Sequence, residues 1–396
     1  MLRVLILILI NISFVGVGLP NSLLGSAWPS MYGEIGVPIS YMGIISMIYL
    51  GGTVVASFFS GQLLRRFQAG SCVLVNVLMI ALSLLGFSLA GSLPLMCVLA
   101  LPLGVGTGFA DTMLNSYSAT HFTAKQMNWH HCFWGVGATI GPVFMAYGIS
   151  AGSWRVGYQI TGAIVLCITV MLVFSLPLWK KFEKVSATVG AQADQPPPSY
   201  GSLFRLRGFK LSTAVFFVYV AAEVTVGLWG ASYLVSARGI APEVAAGWLS
   251  LFFLGMTIGR FISGFITAIL TVRQIIWLGC ALFGCGIAAL QIPLGGAVYI
   301  VGFFLMGLGC APIFPNLIYQ APARFGAQYS QSAIGVQISS ANIGATAVPP
   351  IFGVIAARLG HGLFPVFLGV LLVALIFMIS ALNKIKMHEE PGERAK

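Results

Sequence analysis

The sequence predicts an all-α membrane protein whose twelve transmembrane helices form two six-helix, pseudo-symmetric bundles. Three observations lead to this fold class. Only 7% of the 396 residues are charged, the apolar residues occur in long runs, and short motifs of the first half recur about 204 residues later in the second half.

The small share of charged residues determines which solvent surrounds the chain. A soluble protein carries roughly 25% charged residues because its surface faces water, whereas 58% of this chain is hydrophobic. Lipid must therefore surround most of the chain, and only helices or a closed barrel pair every backbone group in lipid. The continuous apolar runs Ile164–Leu178 and Phe367–Leu382 lack the alternation of barrel strands and favour helices.

The cysteines do not point to a disulfide framework or a metal site. Seven are present, none with the spacing of zinc ligands, and all lie in apolar segments where a free thiol behaves as a small hydrophobe. We therefore expect no metal and no cofactor. The first apolar stretch continues to about Tyr32, too long for a signal peptide, and is interpreted as the first span.

A span requires about 20 apolar residues, and division at polar or turn-rich points gives twelve spans. They are 2–32, 38–64, 70–90, 94–120, 126–150, 155–179, 209–237, 241–269, 272–291, 294–322, 328–356 and 361–383. Residues 1–179 then form the N-terminal bundle and 209–383 the C-terminal bundle. The polar, proline-containing segment 180–208 is interpreted as a solvated cytoplasmic linker, and 384–396 as a cytoplasmic tail.

The basic residues of the loops predict the orientation. With the N-terminus inside, sixteen Lys and Arg residues lie in inside loops and tails and three in outside loops, which is the bias of cytoplasmic loops. We expect a monomeric, multi-pass protein of the cytoplasmic (inner) membrane with both termini in the cytoplasm. The net charge of +11 follows from this topology, so no nucleic-acid partner is needed to explain it.

The two halves repeat one another in the same direction. Gly43–Thr53 aligns with Gly247–Thr257 at an offset of 204, with five identities in eleven positions. Two further pairs match at offsets of 207 and 203: Gly137–Pro142 with Gly344–Pro349, and Gly104–Gly106 with Gly307–Gly309. In transporters built from parallel repeats, the solute site lies between the halves near the bilayer midplane.

With this repeat and its central linker, the whole chain resembles the major facilitator superfamily. Gly61–Arg66 resembles the loop 2–3 signature of that superfamily but lacks its acidic residue, so a salt bridge through that acid is not implied. Asp111–Asn115 in span 4 and Met127–Ala138 in span 5 resemble the fucose-permease-like branch of sugar/proton symporters. The resemblance implies alternating access to a central site, with Arg65 and Arg66 as gating residues.

Span 1 departs from that branch at Asn21, where the branch has an Asp before a Leu-Leu pair. An amide cannot bind and release a proton. Either the chain couples differently, or it is a variant from which this charge has been removed. His130 also stands beside His131 where an apolar residue is expected.

Three charged residues lie well inside the predicted spans, namely Asp111, Glu223 and Arg260. A charge at the bilayer centre costs at least about 2.5 kcal/mol, so such residues are candidates for function. Asp111 in span 4 and Glu223 in span 7 are interpreted as proton-coupling residues. The alternative for each is solute binding or a structural pairing. Arg260 is expected to be a gating cation, or else the counter-ion of an anionic solute.

Further candidates are uncharged or weakly charged. His131 is a third proton-coupling candidate because imidazole titrates near neutral pH, with packing as the alternative. The substrate-binding candidates are Asn21, Trp28, Asn115, Trp134, Trp229, Tyr233, Asn316, Gln337 and Asn342. The alternative for the amides is hydrogen bonding between helices, and for the aromatic residues it is interfacial anchoring or core packing.

We interpret the chain as a secondary transporter that imports a small polar solute, a sugar, together with protons. The alternative is proton-driven efflux of drugs or lipophilic metabolites by the same fold, and the set of amides and acids favours a hydroxylated solute. ATP-driven transport is disfavoured because the Gly-x-x-x-x-Gly-Lys-Ser/Thr signature is absent. An intramembrane enzyme is disfavoured because no His-Glu-x-x-His pattern occurs.

Overall fold

The computed structural model describes residues 2–66, 68–122, 124–186, 200–266, 269–292 and 294–385. Within these ranges, twelve helical segments are long and apolar enough to cross a membrane. The prediction of an all-α protein with twelve transmembrane helices is confirmed.

Each half of the chain contributes six spans. Span 1 consists of the helices Leu2–Gly18 and Leu23–Ile35 joined by the 3-10 turn Leu19–Ser22; spans 2 to 6 are Met42–Arg66, Ala69–Leu89, Leu93–His121, Ala124–Ser150 and Trp154–Ser186. Spans 7 to 9 are Phe209–Arg238, Pro242–Ile266 and Val272–Ala289, span 10 consists of Gly296–Cys310 and Ile313–Tyr319, and spans 11 and 12 are Ala327–Leu359 and Phe364–Lys384. Short helices at Tyr200–Leu203 and Ala321–Phe325 lie between spans.

The even number of spans places both ends of the described chain on one side of the bundle. On that side Arg3, at the start of span 1, donates a hydrogen bond of 3.1 Å to the backbone oxygen of His121, at the end of span 4. We call this the linker side, because the end of span 6 and the start of span 7 also lie there. We call the other the opposite side.

The repeat seen in the sequence corresponds to a repeated packing contact. A Cβ atom on Gly104 of span 4 would lie 1.9 Å from the backbone oxygen of Tyr49 in span 2. A Cβ atom on Gly307 of span 10 would lie 1.9 Å from the backbone oxygen of Phe252 in span 8. Both pairs are related by 203 positions, so glycine allows the same close helix approach in each half.

The linker differs from the expected solvated segment at its two described ends. Span 6 continues as a helix to Ser186 rather than ending at residue 179. Beyond the undescribed residues 187–199, Leu203 is fully buried in a small apolar cluster with Phe209 and Phe325. The apolar side chains of this end explain why it packs on the C-terminal half instead of remaining in water.

Two spans are interrupted next to a proline. Pro20 lies in the 3-10 turn of span 1, and Pro312 lies in the turn between the two helices of span 10. Proline has no N–H group and so cannot continue the helical hydrogen-bond ladder. Amide side chains supply donors at both breaks, since Asn21 Nδ2 lies 2.8 Å from the Val17 oxygen and Asn316 Nδ2 lies 2.7 Å from the Pro312 oxygen.

Arg324 connects the loop after span 10 to the end of span 12. Its guanidinium donates to the Gln320 Oε1 atom at 2.9 Å, to the Leu382 backbone oxygen at 3.1 Å and to Asn383 Oδ1 at 2.9 Å. A cation that binds the last carbonyls of a helix also interacts favourably with the helix dipole.

Arg324→Ala is therefore expected to lower the apparent Tm of the purified protein by several degrees. A hydrogen bond to a charged group contributes about 1.5–3 kcal/mol, and this substitution removes three of them. Thermal unfolding in detergent measures the effect. Arg273→Ala, at an exposed arginine in the first turn of span 9, is the control. Equal Tm values for the two variants would contradict the assigned role.

Candidate functional site

A cavity of about 260 Å³ lies between the two halves. Residues of spans 1 to 8 and 11 contribute to its wall. Its polar lining residues are Asn21, Ser46, Tyr49, Thr53, Glu223 and Asn342; its aromatic lining residues also include Phe87, Trp134, Tyr158, Phe252 and Phe253. A mostly apolar wall with a few convergent polar groups is typical of small-molecule sites.

The cavity is closed on the opposite side by direct contact between the backbones of the two halves. A Cβ atom on Gly25 of span 1 would lie 2.1 Å from the Gly227 oxygen of span 7. A Cβ atom on Gly43 of span 2 would lie 3.1 Å from the Pro350 Cβ atom of span 11. Only glycine at residue 25 allows spans 1 and 7 to approach this closely.

Toward the linker side the two halves separate. Pro350, Asn342, Ser339 and Gly335 of span 11 follow one another at helical spacing and therefore lie on one face. That face touches Gly43 at Pro350 and lines the cavity at Asn342, but it is exposed at Ser339 and Gly335. The cavity consequently opens to the linker side.

Contact between spans 5 and 8 persists beside this opening. A Cβ atom on Gly135 would lie 2.3 Å from Thr257 Oγ1, and Thr139 Oγ1 lies 3.5 Å from the same hydroxyl. One turn before Gly135, the His131 side chain is exposed. Spans 5 and 8 therefore keep the two halves in contact beside the opening. Spans 2 and 11 are in contact at their ends on the opposite side.

The C-terminal half contributes a carboxyl and a guanidinium to the site. Glu223 lines the cavity and accepts a hydrogen bond from Tyr219 one helical turn earlier. The Arg260 guanidinium lies 5.4 Å from the centroid of the Trp134 ring, across the interface between the halves. Arg260 also interacts electrostatically with Glu223 and with His131.

Arg260 does not form a close ion pair with any described carboxylate. Within the described ranges, the one salt bridge joins Arg155 and Glu34 on the opposite side, near Trp154. The Arg260 guanidinium instead lies over the face of the Trp134 ring and interacts at longer range with Glu223.

The N-terminal half contributes a second polar group. Tyr49 donates a hydrogen bond of 3.2 Å to Asn21 Oδ1 and interacts electrostatically with Asp111. Asp111 is half-buried, and Asn115 Nδ2 lies 3.0 Å from its backbone oxygen. Asp111 follows the lining residue Leu103 by eight positions of span 4, which places it about 12 Å nearer the linker side.

The two adjacent histidines have different surroundings. His130 is buried, its Nδ1 atom lies 2.5 Å from Asn11 Oδ1, and its ring stacks on Phe14 with centroids 5.4 Å apart. His131 is exposed, one helical turn before the lining residue Trp134, and its ring centroid lies 5.9 Å from that of Phe14. Of the two, His131 alone is exposed.

Several candidate substrate-binding residues do not line the cavity. Trp28, Trp229 and Tyr233 are fully buried, and their N–H or O–H groups donate to the backbone oxygens of Ile39, Pro349 and Leu290 at 2.6, 2.8 and 2.9 Å. Asn316 and Gln337 are also buried, bound to Pro312 and Ser212. These hydrogen bonds fit the alternative interpretation, which is core packing for the aromatic residues and hydrogen bonding within and between helices for the amides. The side chains of Arg65 and Arg66 lie outside the described residues.

The sequence analysis did not single out three lining residues of span 2. Ser46, Tyr49 and Thr53 lie at positions i, i+3 and i+7, and this polar stripe within an apolar span was a signal available in the sequence. Tyr219 was detectable in the same way, because it precedes Glu223 by one helical turn.

Comparison with known protein families identifies the family to which this chain belongs. The profile of the Major Facilitator Superfamily matches residues 10–290 and 211–396. The chain belongs to the Major Facilitator Superfamily. It is therefore a membrane-embedded secondary transporter of a small-molecule substrate and not an enzyme.

Several known proteins are distant relatives of this chain. It is 23% identical to bypass of stop codon protein 6 of Saccharomyces cerevisiae over 96% of this chain and 82% of the relative. It is 22% identical to the glucose/mannose transporter GlcP of Bacillus subtilis, over 70% of this chain and 69% of the relative. It is 24% identical to the glucose/galactose transporter of Brucella abortus biovar 1, over 80% of this chain and 79% of the relative.

A solved structure has the same superfamily fold. The crystal structure of a point mutant of the nucleoside transporter NupG superimposes with a TM-score of 0.76 and 14% sequence identity. The superposition covers 96% of this chain and all of the other.

Proposed function

We propose that this superfamily member is a proton-coupled sugar symporter of the fucose-permease-like type, which imports its solute by alternating access. The observation that carries the proposal is the cavity between the halves. Glu223 is the one carboxyl among the described residues that line it, and amide and hydroxyl groups surround it. Such a site can bind a neutral hydroxylated solute and a proton in the same volume.

The lining residues support a sugar as the solute. Asn21, Tyr49 and Asn342 offer hydrogen-bond donors and acceptors for hydroxyl groups. Trp134 and Phe253 offer flat surfaces for the apolar face of a pyranose ring. The names of two relatives, a glucose/mannose and a glucose/galactose transporter, agree with this class of solute.

Two carboxyls are proposed for proton coupling. Glu223 is in the cavity beside Arg260, and Asp111 lies toward the opening beside Tyr49 and Asn115. Because Asn21 cannot titrate, coupling in this chain rests on one or both of these acids. His131 at the opening is proposed as a group on the path of the proton.

The orientation of the protein follows from its basic residues. We infer that the linker side faces the cytoplasm, because sixteen Lys and Arg residues lie in its loops and tails. The cavity then opens to the cytoplasm, and the contacts at Gly25 and Gly43 form the closed external side. Arg260 is proposed as the gating cation at the interface of spans 5 and 8, in a monomer of the cytoplasmic membrane.

The same fold supports a second candidate, efflux of drugs or lipophilic metabolites. The observation that favours it is the large apolar share of the wall, with leucines, valines and phenylalanines between the polar groups. A charged and amide-containing centre favours the sugar over a lipophile.

Uptake into proteoliposomes tests the proposal. We expect labelled D-glucose, D-galactose or D-mannose to accumulate in vesicles when an inward proton gradient is imposed, and only to equilibrate without it. Protein-free vesicles and an ionophore that collapses the gradient are the controls. Gradient-driven transport of lipophilic dyes without any hexose uptake would reject the sugar proposal in favour of efflux.

A further inference from the structure

Tyr219 has two potential hydrogen-bond acceptors but a single hydroxyl hydrogen. Its side chain is 1% exposed and lies in span 7. The hydroxyl is hydrogen-bonded to a carboxyl oxygen of Glu223, and it lies 2.8 Å from the backbone oxygen of Cys310 in span 10. A phenol donates one hydrogen, and a backbone carbonyl can only accept.

The protonation state of Glu223 determines how this hydrogen is used. An ionised carboxylate only accepts, so it takes the hydrogen of Tyr219 and leaves the Cys310 oxygen without it. A protonated carboxyl can donate to the Tyr219 oxygen, which frees the tyrosine hydrogen for Cys310. Both short contacts are therefore hydrogen bonds at the same time only when Glu223 carries the proton.

We propose that Tyr219 couples protonation of Glu223 to span 10, as a positioning residue that binds the Cys310 carbonyl in the protonated state and releases it in the ionised state. The inference rests on the proposed proton coupling and adds the element that responds to the proton. No bond between heavy atoms changes: a proton from the cavity forms an O–H bond with the Glu223 carboxylate, this O–H donates to the Tyr219 oxygen, and the tyrosine hydrogen changes its acceptor from Glu223 to the Cys310 oxygen.

Span 10 is suited to respond because it is interrupted next to Cys310. The helix Gly296–Cys310 ends at this residue, and the second helix begins at Ile313 after Ala311 and Pro312. Fewer helical hydrogen bonds hold the backbone at such a break. One added or lost hydrogen bond therefore has a larger effect on the backbone conformation there than inside a continuous helix.

The break also contacts span 8, which carries Arg260. A Cβ atom on Gly259 would lie 2.6 Å from the Ala311 Cβ atom, and Arg260 is the next residue of span 8. Movement at the break is thereby transmitted to Arg260, whose guanidinium lies over the Trp134 ring of the other half.

The surroundings of Glu223 contain few other ionisable groups. Tyr219 on its own span, Arg260 on span 8 and the Cys310 thiol on span 10 interact with its charge. Tyr49 of span 2 and Tyr158 of span 6 line the same cavity. Arg260 is the one cation among these groups.

Infrared difference spectroscopy between alkaline and acidic pH tests the proposal without a solute. In the wild type we expect a protonated-carboxyl band and a change in the tyrosine C–OH band to titrate together. Glu223→Gln should lose both signals. Tyr219→Phe should lose the tyrosine signal and shift the carboxyl band, because its hydrogen-bond partner is gone. A tyrosine signal that persists in either variant would overturn the proposal.

Tyr233→Phe is the matched spectroscopic control. It also removes a buried tyrosine that donates to a backbone oxygen, that of Leu290 at 2.9 Å, but its hydroxyl has an arginine neighbour and no described carboxyl partner. Both pH-dependent signals should remain in this variant. Their loss would show that any buried tyrosine produces the effect and would overturn the assignment to Tyr219.

Transport measurements separate this inference from the proposed function. Tyr219→Phe is expected to slow gradient-driven hexose uptake about tenfold or more while hexose exchange at equal pH changes much less. Coupled infrared signals in a protein that moves no hexose would reject the sugar proposal alone. Proton-driven uptake that is unaffected in Tyr219→Phe would reject the role of Tyr219 alone.

Discussion

Replacement of Glu223 by Gln is expected to abolish proton-driven accumulation of hexose while exchange of hexose across the membrane continues. Glutamine keeps the size of the side chain and its hydrogen-bonding capacity in the cavity, but it cannot bind and release a proton. The solute can then still bind and cross, yet the proton gradient no longer drives it. Uptake with and without a gradient, compared with exchange at equal pH, measures the two activities separately.

Glu243→Gln is the control for this experiment, because Glu243 lies in the first turn of span 8 on the opposite side, away from the cavity lining. It should accumulate hexose like the wild type. Asp111→Asn is the informative companion, since Asp111 is the other acid that we propose for proton coupling. Normal gradient-driven accumulation in Glu223→Gln would contradict coupling through Glu223. If gradient-driven accumulation were lost in Asp111→Asn alone, Asp111 would be the coupling residue instead.

The second large effect is expected from Gly25→Ala. The added methyl group would lie 2.1 Å from the Gly227 oxygen and 2.9 Å from the Leu228 Cα atom, both backbone atoms. Overpacking of this kind costs about 1–3 kcal/mol, and each 1.4 kcal/mol shifts an equilibrium about tenfold. The state closed on the opposite side should therefore be depopulated, and both uptake and exchange should fall by about tenfold or more.

Accessibility of the cavity reports which state the variant adopts. Leu24→Cys places a thiol in the cavity wall next to Gly25, in a background from which the native cysteines are removed. A membrane-impermeant thiol reagent added on the opposite side should label it faster when Gly25→Ala is also present. Gly33→Ala, in the same helix but with no atom within 4 Å of the added Cβ, is the control. Wild-type transport by Gly25→Ala would contradict the role of this contact.

Much of the fold could be predicted because lipid imposes strong rules on the sequence. The span count follows from apolar runs of sufficient length, and the matches at offsets of 203 to 207 relate spans 2 and 8 and spans 4 and 10. The contacts Gly104–Tyr49 and Gly307–Phe252 later occur at equivalent positions. The bounds of span 6 were less predictable, because the basic residues after 179 do not prevent the helix from continuing to Ser186.

The candidate site was predictable only in part. Glu223 could be identified because an acid in a bilayer is rare and costly. Tryptophans carry no such signal, since a buried indole and an indole in a cavity wall have the same apolar neighbours in the sequence. Trp134 lines the cavity, whereas the N–H group of Trp28 is bound to the Ile39 oxygen at 2.6 Å.

The sequence by itself determined that this protein crosses the membrane twelve times as two related halves, because charge and length are properties of each segment alone. The tertiary structure alone decided which side chains share the cavity and where it closes. A helix surrounded by lipid and by other helices is apolar over most of its surface, so outside a polar stripe such as that of span 2 its pattern does not indicate which face meets the other half. The approach of Gly25 to Gly227, and of Tyr219 to both Glu223 and Cys310, exists only once the helices are packed.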